Sequence, residues 1–411
     1  TYDFNIYEAP IEEYSDELIA NAKEFSDTAI LFFSRLGGED TDLPTDMSEW
    51  GGTADEHYLE LSAKEKDLLA MAKENFETVI VLINSSNVME LGFLEDENVD
   101  AALWVGGPGS TGCNSIGKIL CGDVTPSGRL TDTYAYDITT SPAYYNAGNF
   151  NYIGADYTLQ DMMTGGEIEK VRSFVNYAEG IYVGYRYYET RWIDNNTNAC
   201  DEEAYQAAVQ YPFGYGLSYT TFEQKITDFS SDGTKVTMDV TVTNTGSAAG
   251  KDVVQVYYTA PYYTGEIEKS HVVLCAFDKT SQLEPGASET LSVSFNIEDM
   301  ASYDYINEKC YVLDAGNYEI KLMNNAHEMI DSRTIAVDTK IVYNSENPRS
   351  TDNTAAVNRF GDMTYGGDVT YVSRADWEGT LPTEKTQSKE ATGELLAQIA
   401  SVEVEDNDED E

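Results

Sequence analysis

The sequence predicts an α/β protein: a parallel-sheet α/β sandwich domain followed by an all-β immunoglobulin/fibronectin III-like sandwich. Three observations carry that expectation. Helix-patterned stretches alternate with short apolar runs in the first part of the chain. From about residue 223 the pattern becomes apolar/polar alternation broken by turn residues. After about residue 339 the chain turns polar and both periodicities fade.

Residues 14–27, "YSDELIANAKEFSD", carry apolar side chains at helical spacing and lead into the apolar run "TAILFFSR" at 28–35. The second unit is "LSAKEKDLLAMAKENF" at 61–76, where Ser62 is the expected N-cap and Glu65 its capping-box partner. "TVIVLINSS" at 78–86 is the next strand, and "VDAALWVGGPGSTG" at 99–112 a third that breaks into glycines. "CNSIGKILCG" at 113–122 is the helix after it. Helices alternating with short apolar strands imply βαβ units and a parallel sheet covered on both faces. Further on, "TKVTMDVTVTNTG", "GKDVVQVYYTAP", "LEPGASETLSVSFNI" and "LDAGNYEIKLMNN" describe a β-sandwich of roughly 110 residues. The expected division is 1–222 for the α/β sandwich, 223–338 for the fibronectin-like domain and 339–411 for a linker or wrapping arm with an acidic tail. Within that arm, "KEATGELLAQIAS" has a short helical pattern.

Composition narrows the function. The chain has 411 residues, 25 basic against 73 acidic, for a formal net charge of −48. A field of that sign repels nucleic acid and anionic lipid, so neither nucleic acid nor membrane is an expected partner and neutral ligands are. No run approaches the roughly 18 apolar residues of a membrane span. Five cysteines, 113, 121, 200, 275 and 310, form no CxxC pair and are expected to be buried structural thiols. His57, His271 and His327 lie far apart without metal-ligand spacing, so no metal and no cofactor is expected.

"GGEDTDLPTD" at 37–46 empties a buried strand into two glycines and a run of carboxylates. From the residues alone this is a solvated turn, an anion-repelling lip, a metal loop or half of an acid/base pair. "GGPGSTG" lacks the lysine of a phosphate-binding loop and is a strand-to-helix turn. Ser110, Ser115 and Ser127 have no histidine pattern near them, which argues against a serine triad. The aromatic stretches "EGIYVGYRYYE" and "FGYGLSY" could stack on sugars, with interdomain packing the expected role for most of their tyrosines.

Four stretches in order carry a resemblance: "SRLGGEDTDL…YLELSAKEKDLL", "VDAALWVGGPGSTGCNSIGKILCGDVTPSGRLTDTY", "YAEGIYVGYRYYET" and "YPFGYGLSYTTF". Over residues 15 to 338 the chain resembles the C-terminal portion of glycoside hydrolase family 3, including the fibronectin-type-III-like domain that follows in many members. The resemblance implies a retaining exo-acting β-glycosidase, with β-glucosidase the first expectation and a β-linked oligosaccharide or glycoside as substrate. In such enzymes a TIM-like barrel gives an aspartate nucleophile and the α/β sandwich a glutamate acid/base. Glu39 stands where the family carries that glutamate, with Glu49 and Glu56 as other carboxylates of the same loop. The family's loop glycine is replaced by Asp40 and its arginine by Leu43; Arg35 could supply the missing charge. Asp42 and Trp50 complete the expected substrate-binding set, with Trp50 an apolar wall. No segment has the roughly 250 residues of a βα barrel. The nucleophile is therefore expected from a barrel in cis, in a permuted protein truncated at both ends here, or in trans on another chain. "RADWEGTLPT" at 374–383 is similar to the connector of permuted members. The alternative is a non-catalytic carbohydrate-binding or scaffolding fragment.

Overall fold

The structure is a computed structural model and describes residues 11–38, 43–44, 46–48, 52–146, 150–160, 165–352, 354, 356 and 369–401. Helix α1 (Asp16–Phe25) begins at Ser15, whose hydroxyl accepts from Leu18 N. Strand β1 (Thr28–Arg35) follows, then α2 (Ala63–Asn75), β2 (Thr78–Ser85), β3 (Ala101–Trp104) and α3 (Gly109–Leu120). The three strands form one parallel sheet in the order β1-β2-β3, with Thr28 opposite Thr78 and Ile80 opposite Ala101. In central β2, Val79, Val81, Leu82 and Ile83 are all buried, which is why its sequence is a continuous apolar run. Leu68, Leu69 and Ala72 of α2 pack with Phe33 and Val81 in this core. The capping box at the start of α2 is complete, with the Ser62 hydroxyl accepting from Glu65 N and the Glu65 carboxylate accepting from Ser62 N. Helix α3 starts four residues before the patterned stretch, because Pro108 (φ −71°) already sets the backbone for it.

Strand β4 (Tyr134–Ala135), the hairpin of β5 (Phe150–Gln160) and β6 (Glu167–Phe174), helices α4 (Tyr185–Arg191) and α5 (Glu202–Ala208) and strand β7 (Val209–Tyr211) lead to the second domain. There β8 (Phe222–Ser231), β9 (Lys235–Asn244), β10 (Val253–Thr259), β11 (Val273–Lys279), β12 (Ser288–Asn296), β13 (Ser302–Asp304), β14 (Cys310–Leu313), β15 (Gly316–Met323), β16 (Met329–Val337) and β17 (Ile341–Tyr343) build antiparallel sheets. Their orders are β11-β10-β15-β16, β12-β9-β8 and β13-β14-β17. Alternation along β9 puts Val236, Met238, Val240 and Val242 inside, against Val256, Ile320 and Leu322.

Specific contacts join the two domains. Arg129, in the "PSGRL" turn, pairs with Asp252 at 2.5 Å, and Asp252 also accepts from Gln224 Nε2 at 2.8 Å. Tyr185 of α4 stacks on Phe213 and meets the buried Tyr257 of β10 edge-on. His327 lies between Glu189 of α4 and Glu202 of α5. Residues 369–401 return across both domains. Val372 N donates to Ala178 O, and the guanidinium of buried Arg374 lies 4.0 Å from the Tyr262 ring centroid and bonds to Asn195 and Lys269 O. Trp377 packs on Tyr182 and Tyr187. Lys389–Glu390 pairs parallel with Tyr152–Ile153 of β5. All five cysteines are free thiols. Cys310 is buried, but Cys113 and Cys121 are exposed, contrary to the expectation of buried thiols: α3 has no buried residue among those described.

Candidate active site

The carboxyl ends of β1, β2 and β3 form the edge at which ligands bind in parallel α/β sheets. Here polar side chains lace the three ends together. Ser34 Oγ donates to Asn84 Oδ1 at 3.2 Å, Asn84 Nδ2 donates to Gly106 O at 2.5 Å, and Trp104 Nε1 donates to Ser85 O at 3.0 Å. The acidic stretch leaves this edge at Leu36. Gly37 is closely packed: a Cβ there would sit 2.5 Å from Asn87 Nδ2 and 2.6 Å from Leu43 Cδ2, so the ends of those two side chains would have to move aside. That amide nitrogen of Asn87 is buried and has no hydrogen-bond partner among the described residues.

Arg35 ends β1 and is 6% exposed. Its guanidinium uses all five N–H donors inside the protein. Nε donates to Tyr58 O at 2.5 Å and Nη1 to Ser34 O at 2.7 Å. Both terminal nitrogens reach the Glu65 carboxylate at 2.7 Å, and Nη2 also donates to Glu60 O. This residue therefore ties the return of the loop, at 58–60, to the strand from which the loop departs, and has no donor left for a sugar hydroxyl. Its structural assignment is loop anchoring. Leu36 N adds a bond to the Tyr58 hydroxyl at 2.9 Å.

A second anchor lies just before Tyr58. His57 Nε2 is 3.0 Å from Glu90 Oε1, and Glu90 N donates to Leu59 O at 2.9 Å. The hydrogen bond with Glu90 raises the His57 pKa against the opposing effect of burial. Neither His57 nor Glu90 stands out in the sequence; the nearest signal is the position of His57 directly before "YLEL". Within the loop, Met47 is buried and its N donates to Glu56 O at 2.9 Å. The Glu56 carboxylate accepts from Thr53 N at 2.7 Å, so this alternative acid is engaged in closing its own turn. Hydrogen bonds from the side chain and backbone of Ser48 hold the Asp46 carboxyl below the usual carboxylate range. Of the expected site residues, Glu39, Asp42 and Trp50 lie outside the described residues, as do Asp40 and Glu49. Leu43 lies against Gly37 as an apolar contact. Among the described residues no group of three or more His, Cys, Asp or Glu could hold a metal, and no helix is long and apolar enough to cross a membrane.

Residues 7–185 match the glycosyl hydrolase family 3 C-terminal domain, and residues 252–326 match the fibronectin type III-like domain. The chain is 34% identical over 340 residues to a beta-glucosidase of Ruminococcus albus, covering 80% of this chain and 30% of that protein. It is 32% identical over 339 residues to beta-glucosidase A of Butyrivibrio fibrisolvens, covering 75% of this chain and 37% of the relative. A beta-glucosidase structure from Paenibacillus barengoltzii aligns with a TM-score of 0.65 at 32% identity, over 81% of this chain and 33% of that one. Beta-glucosidase 3B from Thermotoga neapolitana, in complex with glucose, aligns with a TM-score of 0.62 at 30% identity, over 80% and 40%. The chain thus spans well under half the length of these relatives.

Proposed function

Because this chain belongs to glycosyl hydrolase family 3 through its C-terminal and fibronectin type III-like domains, we propose that it forms part of a retaining exo-acting β-glycosidase of the β-glucosidase type. It supplies the acid/base carboxylate, Glu39, while the aspartate nucleophile comes from a barrel domain outside these residues, in cis or in trans. Without that barrel the chain is inactive. The aspartate attacks the anomeric carbon as Glu39 protonates the departing glycosidic oxygen. In the second step the Glu39 carboxylate takes a proton from water, which releases the sugar. The two carboxyls must then stand about 5–5.5 Å apart across the interdomain cleft.

The observation that carries this reading is the similarity to beta-glucosidases over about four-fifths of the chain, through a loop that leaves the carboxyl end of β1. Two features of the loop support it. Arg35 and His57 hold the described residues that flank it on either side. Asp46 stays ionised on the same loop, and a negative neighbour raises the pKa of a carboxyl that must keep its proton near neutrality. A second reading, a sugar-binding fragment without catalysis, is favoured by Leu43, which packs on Gly37 where the family has a cation.

Glu39→Ala, assayed together with a barrel-bearing polypeptide, separates the two. Hydrolysis of substrates with poor leaving groups should fall roughly 10²–10⁴-fold, activated aryl glycosides should be spared, and azide should restore the rate. An unchanged rate ends the acid/base role. Sugar binding by calorimetry with no turnover after the barrel is supplied establishes the second reading instead.

A further inference from the structure

Away from the β1 loop, at the β3 edge of the sheet, β3 and α3 enclose a cavity of about 540 Å³ with residues 126–134 and the segment 211–219 that leads into the second domain. The apolar part of its wall includes Ile80, Leu103 and Leu130. The rest of the wall mixes aromatic and polar groups: Tyr134, Tyr211 and Tyr215 line it together with Asp100, Arg129 and Ser218, and the rings of Tyr211 and Tyr215 stack with centroids 5.1 Å apart. None of the three tyrosine hydroxyls has a hydrogen-bond partner among the described residues. Burial raises the pKa of all three, so each remains a neutral O–H able to donate. The outer edge of β3, whose four residues all line the cavity, carries no further strand among the described residues.

We infer that this cavity is a binding site for a neutral aromatic ring bearing a hydroxyl group, a phenol-class ligand. Size and lining fit: small-molecule sites span about 300–1,000 Å³ and are mostly apolar with a few placed polar groups. An apolar cavity of roughly 150 Å³ is already enough for benzene. Charge selects a neutral guest. The wall holds one charged residue of each sign and both are engaged, Arg129 with Asp252 and Asp100 with Val79 N, while the net charge of −48 further opposes an anion. The lining also selects an aryl ring over a sugar. A pyranose would bring hydroxyls all round its ring to a wall in which isoleucine, leucine, valine and alanine side chains outnumber the polar ones, and each hydroxyl buried without a partner costs about 1–3 kcal/mol. A ring with one hydroxyl meets the stacked tyrosine faces and satisfies its single polar group. The site rests on these residues alone and does not depend on the glycosidase reading.

Titration calorimetry and saturation-transfer NMR on the 411-residue chain, with phenol, glucose, benzoate and benzylamine as separate probes, test it. Phenol should bind with glucose, benzoate and benzylamine each at least ten-fold weaker. Leu103→Trp, which fills the cavity, should weaken phenol at least ten-fold, and Tyr211→Phe, which removes one hydroxyl and keeps the ring, a few-fold. Circular dichroism identifies a Leu103→Trp protein that has failed to fold; Tyr211→Phe and Tyr215→Phe then decide. No phenol binding, binding unaffected by every folded variant, or glucose or either charged probe binding as well as phenol would overturn the assignment.

Discussion

Arg35 and Glu65 meet at 2.7 Å with side chains 3% and 9% exposed, which makes them a buried pair and sets the cost of breaking it. Removing one partner leaves a charge in a site closed to water. Glu65→Gln should therefore lower unfolding free energy by about 3–5 kcal/mol, read from urea titrations. The double replacement Arg35→Met with Glu65→Leu removes both charges and should recover much of that loss. A Glu65→Gln protein within about 0.5 kcal/mol of the parent would show that the pair does not hold the loop. The sequence made Glu65 legible as a capping residue, because that role needs only Ser62 three residues away. Its second role was not legible: Arg35 lies thirty residues off, and only the folded sheet brings the two together. Arg35 is accordingly an anchor, where the sequence suggested a sugar contact.

Strand β1 illustrates how far local pattern goes. Neighbours Phe32 and Phe33 are equivalent in composition, but Phe33 is fully buried against α2 while Phe32 is 54% exposed on the other face. Phe33→Ala should cost about 3–5 kcal/mol, and Phe32→Ala less than about 1, by chemical denaturation. Equal losses would mean that the register of β1 against β2 is wrong, since a one-residue slip exchanges the two faces. At the start of α2, Ser62→Ala should cost about 1 kcal/mol by the same measurement. The apolar runs of β1 and β2, the capping box and the alternation of β9 were all readable because each depends on residues close in sequence. The hairpin of β5 and β6 was not. Its strands are largely solvent-exposed, with a register shift between Asn151 and Asp156, so neither carries a clean period of two. For the candidate site, sequence located the loop by resemblance, whereas its anchors at Tyr58, Glu60 and Glu90 emerge only from tertiary pairing.

At the scale of the molecule, the two domains are coupled by a titratable contact. The His327 ring lies flat on Tyr205, with centroids 3.7 Å apart, and its nitrogens reach Glu189 at 2.9 Å and Glu202 at 3.1 Å. Burial opposes a charge on His327, but the hydrogen bonds and negative charges of Glu189 and Glu202 outweigh it, so the pKa is raised. The folded protein therefore binds this proton more tightly than the unfolded chain. The resulting stabilisation is complete below the unfolded value of about 6.5 and is lost as pH rises through the raised folded value. His271, in the same domain, has the opposite sign. Burial pushes it down to about 3, so its neutral form favours the fold above about 6.5, and that advantage erodes as pH falls toward 3. A pH–stability curve of the parent alone mixes both, and the informative quantity is the difference from His327→Gln. The parent should be more thermally stable than this variant at about pH 6, and the gap should narrow as pH rises through the raised folded value. Glu189→Gln should flatten the same pH dependence, since it removes the less exposed of the two carboxylates that hold the proton. A gap that stays constant from about pH 6 to 9 would mean that His327 is neutral throughout and that the domains are held by the Tyr205 stack and the Arg129–Asp252 pair instead.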